Sequence, residues 1–266
     1  MLRRRPALTY FLLTFAISWL GALIVAAPYL LLDESLPKLA GIIMFPVMLL
    51  GPSIAGLVLQ TAIHGASGLR ALFARMRSVG PRRWLLTIAI PPALIFAVLC
   101  CLSTVVSPAF TPNHFFIGVS FGCVAGFLEE IGWTGFAFPA LRSGGRSAFA
   151  ASIPLGLLWS AWHIPAVDFL GAVTPHGAAW PLFFAGFTLV LTALRVVICW
   201  VCVNTESVLM AQLLHGSSTG ALVAFSPPGV SATQEAYWYG LYGLLLWIVA
   251  AVIVARTGPS LVPPNR

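Results

Sequence analysis

Gly118-Val-Ser-Phe-Gly122-Cys-Val-Ala-Gly126-Phe-Leu-Glu129-Glu130-Ile-Gly-Trp-Thr-Gly135 sets two adjacent acids into a run of apolar and small residues. What those acids mean depends on the solvent around the run, and composition decides that. Of 266 residues, 59% are apolar and 8% charged, and the mean hydropathy is +0.97. A soluble domain carries roughly 25% charge. A water-soluble fold of this size cannot hide so much apolar surface, because packed monomers still need a polar exterior. Lipid therefore surrounds most of the chain. A cytosolic enzyme, a secreted disulfide scaffold and a disordered regulator are excluded.

A membrane span needs roughly 20 apolar residues to cross about 30 Å of hydrocarbon. Eight segments qualify, at about 8–32, 39–63, 84–106, 114–141, 147–165, 179–203, 206–225 and 236–256. The expected fold is all-α, a polytopic membrane bundle of about eight transmembrane helices forming one integral-membrane domain over 1–266. The first segment follows Arg3–Arg5 and is longer than a signal-peptide core, so it reads as a retained anchor. Arg3, Arg4, Arg5, Arg70, Arg75, Arg77, Arg82, Arg83, Arg142, Arg146, Arg256 and Arg266 all fall on one side of an eight-span chain. Lys38 lies opposite, beside Asp33, Glu34, Asp168 and Glu235. The positive-inside rule puts both termini in the cytoplasm. The net charge of +7 reads as topology signalling, and no nucleic-acid partner is expected. Residues 68–77 read either as a short interfacial helix, with Leu69, Leu72 and Phe73 on one face, or as a solvated loop. Cys199 and Cys202 sit inside an apolar span and read as buried small hydrophobes rather than a redox or metal pair.

A charged side chain at mid-bilayer costs at least about 2.5–3.5 kcal/mol on insertion scales, so each acid needs a reason. Gly118, Gly122 and Gly126 form a small-residue ridge that lets a neighbouring helix approach closely. At about 100° per residue, Glu129 projects about 20° from Gly118, inside that stripe, and Glu130 about 40° beyond Gly126, at its edge. Glu129 is thus expected to point into a helix junction rather than toward lipid. Two histidines join these acids on other spans. His163 closes the fifth, in Trp159-Ser-Ala-Trp162-His163-Ile-Pro165. His215 lies in the seventh, followed one turn later by Thr219.

The residues allow more than one chemistry. One carboxylate and two imidazoles, Glu129, His163 and His215, are a ligand set for a catalytic zinc with an open fourth position. The same groups can work without metal: a glutamate and a histidine polarise water, while the second histidine stabilises the oxyanion. A proton relay in a transporter is a further use of such residues, although the paired broken helices of many transporters are missing.

These segments, in this order, resemble the motifs of the CAAX-protease and bacteriocin-processing (CPBP, or Abi) family of intramembrane proteases, which includes the type II prenyl-protein CAAX endopeptidases. Glu129-Glu130 match the family's glutamate pair, Trp159 and His163 its aromatic-to-histidine motif, and His215 its last histidine. The resemblance spans about 115–222. It implies that Glu129 and His163 activate the attacking water or hold a metal that does so. His215 and Thr219 would bind the oxyanion or complete the metal site, and Glu130 would be the supporting acid. It also implies a membrane-associated peptide or protein substrate with a hydrophobic or lipidated tail, and a bacterial inner membrane as the setting. Two positions depart from the family pattern. The motif arginine is Thr134, which leaves Glu130 either protonated and bonded to Thr134 or paired with Arg195, itself equally able to snorkel to the interface. The motif asparagine is Thr219. Those departures keep open a second expectation, a catalytically degenerate relative acting as an immunity or assembly partner. Depth adds a constraint. Glu130 lies about 18 Å along its helix from Arg142 and His163 about 25 Å from Arg146, so the helices must tilt or shift for the trio to meet.

Overall fold

A computed structural model describes residues 3–34, 37–169 and 176–264; Arg266 and the side chains of Lys38 and Asp168 lie outside the described residues. Every regular element among them is helical. In chain order the α-helices are α1 (Pro6–Leu31), α2 (Lys38–Arg75), α3 (Ile90–Val105), α4 (Gly118–Gly132), α5 (Phe138–Arg142), α6 (Ala148–Trp162), α7 (Trp180–Thr205), α8 (Val208–Phe225) and α9 (Ala232–Thr257). Among the described residues, six helical stretches are long and apolar enough to cross a membrane: α1, α2, α3 with the 3₁₀ turn before it, α7 with the turn before it, α8 and α9. The polytopic helical bundle expected from composition is therefore the architecture found.

The other two expected spans have a different build. Residues 118–142 run as α4, a π-helical turn over Trp133–Ala137, and α5. Helix α6 has 15 residues, about 22 Å, short of a full hydrocarbon crossing. The kink in α2 falls at Gly65, whose φ of 65° suits a residue without Cβ. Beyond it the chain is helical to Arg75, as the interfacial-helix reading expects. Its Leu72 is buried against Ile131 and Val208, while Phe73 stays exposed.

The glycine ridge of α4 meets α8. A Cβ on Gly122 would collide with the backbone of Gly216 and Gly220, and one on Gly126 with the backbone of Gln212 and Gly216. Two helices without side chains at the crossing approach to backbone contact, as small-residue stripes allow. Because His215 precedes Gly216, this crossing carries the imidazole to the end of α4 where both acids stand. Two side chains tie the neighbouring turn down. Ser53 of α2 donates to the Leu128 carbonyl (2.6 Å), and the Gln212 amide of α8 donates to the Phe127 carbonyl (2.9 Å).

Candidate active site

Glu129 and Glu130 occupy the last turn of α4 and are 1% and 0% exposed. The sequence put Glu130 at the edge of the buried stripe; the structure buries it fully, with the side chains of Arg195, His215 and Thr134 bonded to its carboxylate. Arg195 of α7 grips the Glu130 carboxylate with both guanidinium nitrogens, Nη1 to Oε2 at 2.8 Å and Nη2 to Oε1 at 3.0 Å. The Thr134 hydroxyl also donates to Glu130 Oε2. Of the two readings left open for Arg195, pairing is the one found and snorkelling is not. The guanidinium stacks over the Trp159 ring, 4.1 Å from its centroid. A bidentate guanidinium is a cation suited to a buried carboxylate. It also removes the need for a neutral Glu130.

Glu129 is held differently. Its Oε2 accepts from two indoles, Trp159 Nε1 at 2.6 Å and Trp133 Nε1 at 3.1 Å. Trp133 lies one turn beyond Glu129, at the start of the π-helical turn, and such turns often mark functional sites. Glu129 Oε1 faces His215, whose Nε2 is 4.0 Å away. His215 Nδ1 lies 2.8 Å from Glu130 Oε1. An ionised carboxylate only accepts, so Nδ1 carries a proton and donates it. One histidine thus spans both acids.

His163 follows the last residue of α6. Its Nδ1 donates to the Trp159 carbonyl at 2.8 Å. Its ring sits edge-on among Trp159, Trp162 and Phe187, with centroids 5.8, 4.7 and 5.2 Å away. It makes no hydrogen bond or ion pair with Glu129, Glu130 or His215 among the described residues. The depth constraint explains why. Glu129 lies as many residues before Arg142 as Trp159 lies after Arg146, about 20 Å along each helix. Trp159 is therefore level with Glu129, and His163 is one turn deeper. Thr219, expected to join His215 at the oxyanion, is half-buried and has no hydrogen-bond partner among the described residues.

Whether these groups suit a zinc ion can be judged from their geometry. Each histidine spends Nδ1 on an oxygen acceptor and keeps Nε2 free, as metal-binding histidines do. Yet among the described residues no three His, Cys, Asp or Glu side chains are gathered to hold an ion. Glu129 gives Oε2 to two indole donors and keeps Oε1, which faces His215, without a hydrogen bond among the described residues. Glu129 and His215 face each other at 4.0 Å, and His163 makes no hydrogen bond or ion pair with either among the described residues.

Trp133 is the participant that sequence reasoning missed, and the role of Trp159 as a donor was missed with it. A signal existed: Trp133 is four residues after Glu129 and so shares its helical face. Cys199 and Cys202 are buried free thiols, as expected.

Comparison with known proteins bears on the same region. Residues 111–221, which contain both acids and both histidines, match the family model described as type II CAAX prenyl endopeptidase, Rce1-like. CAAX prenyl protease 2 of the archaeon Methanococcus maripaludis is 29% identical over 133 residues, 49% of this chain and 46% of its own length. The chain thus spans about half the length of that curated relative. Both findings support the resemblance to the CPBP family drawn from the three motifs.

Proposed function

We propose that this protein is an intramembrane endopeptidase that hydrolyses a peptide bond in a membrane-associated substrate, of the class whose C-terminal tail is hydrophobic or prenylated. One observation carries the reading. The Glu129 carboxylate is anchored through Oε2 by two indole N–H groups while Oε1 stands 4.0 Å from His215 Nε2. That separation is too long for a direct hydrogen bond and of the size one water bridges.

The chemistry follows from the atoms. Glu129 Oε1 accepts a proton from the bridging water as its oxygen attacks the scissile carbonyl carbon. His215, protonated on both nitrogens, donates from Nδ1 to Glu130 and from Nε2 to the developing oxyanion. When the tetrahedral carbon collapses, the C–N bond breaks and Glu129 returns its proton to the leaving amine. In that state two carboxylates face one guanidinium and one imidazolium, so the buried cluster is electrically balanced, which a low-dielectric site requires. Glu130, Arg195 and Thr134 hold His215 in place. His163 offers Nε2 from one turn deeper and closes on the water in the substrate complex, where catalytic hydrogen bonds tighten.

The accompanying topology is eight spans in one membrane domain, with the reactive core at about 115–222 and both termini cytoplasmic, in a bacterial inner membrane. Thr219 favours one second reading, an immunity or assembly partner without turnover, since the hydroxyl at that position is not joined to the cluster. The deciding experiment uses the full chain reconstituted in liposomes with peptides bearing a farnesylated cysteine three residues from the C-terminus. Mass spectrometry should find the tripeptide released. If neither these peptides nor unlipidated hydrophobic tails are cut at any bond, the non-catalytic reading takes its place.

A further inference from the structure

Away from the catalytic cluster, α3, α7 and α9 leave a groove of about 690 Å³ between them. Trp84, in the 3₁₀ turn before α3, and Trp200 of α7 line it together with Val252 and Ile253 near the end of α9. Arg83 and Arg256 line the same groove, and both are exposed. Neither arginine has an ion-pair or hydrogen-bond partner among the described residues. The two indoles meet edge-on with centroids 4.7 Å apart. Their Nε1–H groups are buried beneath the groove surface, and neither has an acceptor among the described residues.

The groove therefore combines two exposed cations with hydrocarbon walls. Its complement carries negative acceptor oxygens at one end and acyl carbon along the rest. We propose that this groove binds an anionic phospholipid, its phosphate against Arg83 and Arg256 and an acyl chain along Val252 and Ile253. The volume lies within the range of specific ligand sites. Both arginines belong to the basic side of the chain, where pockets between helices attract anionic headgroups. Inorganic phosphate would match the arginines and leave the hydrocarbon walls without contacts. A zwitterionic lipid would fill the walls and set its own cation beside the guanidinium groups.

The test uses the delipidated full chain in detergent, given phosphatidylglycerol, phosphatidylcholine of the same acyl length, or inorganic phosphate. Native mass spectrometry reads retained lipid, and the Tm reads stabilisation. Phosphatidylglycerol should be retained at least tenfold better than phosphatidylcholine, with no Tm shift from phosphate alone. The double variant Arg83→Gln with Arg256→Gln should bring phosphatidylglycerol down to the phosphatidylcholine level. Val252→Trp, which fills the groove and keeps both arginines, should weaken retention of both lipids. Equal retention of the two lipids by the unaltered protein overturns the proposal. So does phosphatidylglycerol retention unchanged in both variants, and so does a phosphate-induced Tm shift equal to that from phosphatidylglycerol.

Discussion

Arg195 of α7 and Glu130 of α4 form a fork-to-fork ion pair, 2.8 and 3.0 Å, with both side chains fully buried. The pair joins helices far apart in sequence, and its carboxylate also holds His215. Structure and chemistry therefore share one contact. Replacing Arg195 with Met strands a buried charge on Glu130, which costs about 3–5 kcal/mol, and leaves the carboxylate that holds His215 without its cation. The Tm in detergent should fall steeply and turnover should be lost. Adding Glu130→Gln to Arg195→Met should recover most of the Tm and none of the turnover. Recovery of both would show that Glu130 has no part in the reaction.

The indole donors to Glu129 predict a graded effect. Hydrogen bonds to charged groups contribute about 1.5–3 kcal/mol, so Trp159→Phe should lower kcat roughly 10- to 100-fold. Trp133→Phe should cost less, since its bond is 3.1 Å against 2.6 Å. Single-turnover rates on a lipidated peptide check this. A larger loss from Trp133→Phe than from Trp159→Phe would reverse the assignment.

Gly122→Val should drive α4 from α8, because the added atoms meet the Gly216 and Gly220 backbones. Overpacking of this kind costs about 1–3 kcal/mol, and His215 should lose its register with Glu130. Gly144→Ala, where a Cβ meets open space, is the matched control and should change neither Tm nor rate.

Thr219→Asn should raise the rate roughly tenfold or more, since an amide at that position reaches farther than the hydroxyl and an oxyanion donor is worth about 10²–10³ in rate when removed. An unchanged rate would place the oxyanion away from residue 219.

Much of this was legible in the chain. A helical repeat of glycines names its own face, so the stripe at Gly118, Gly122 and Gly126 foretold a close crossing and the inward aim of Glu129. Arg195 was visible as an anomaly but not as a partner, since a long cation in an apolar helix can pair or snorkel, and only the packing of α7 decides. Trp133 and Trp159 stayed hidden because an indole in an apolar span serves equally as core filler. The depth arithmetic held the needed information. It compared Glu130 with His163, whereas the residue level with the acids is Trp159. The π-helical turn left no periodic trace, since one widened turn does not disturb a pattern of small and apolar residues.

The most direct test is Glu129→Gln in the reconstituted full chain, measured as single-turnover cleavage of a farnesylated tail peptide with the Tm recorded beside it. The amide keeps the side chain's shape and one acceptor oxygen for the indoles, but it is too weak a base to take a proton from water. The Tm should stay close to that of the unaltered protein while cleavage falls at least about 10³-fold, within reach of general-base and electrostatic effects combined. Cleavage at an undiminished rate by a folded Glu129→Gln protein would contradict the account at its base.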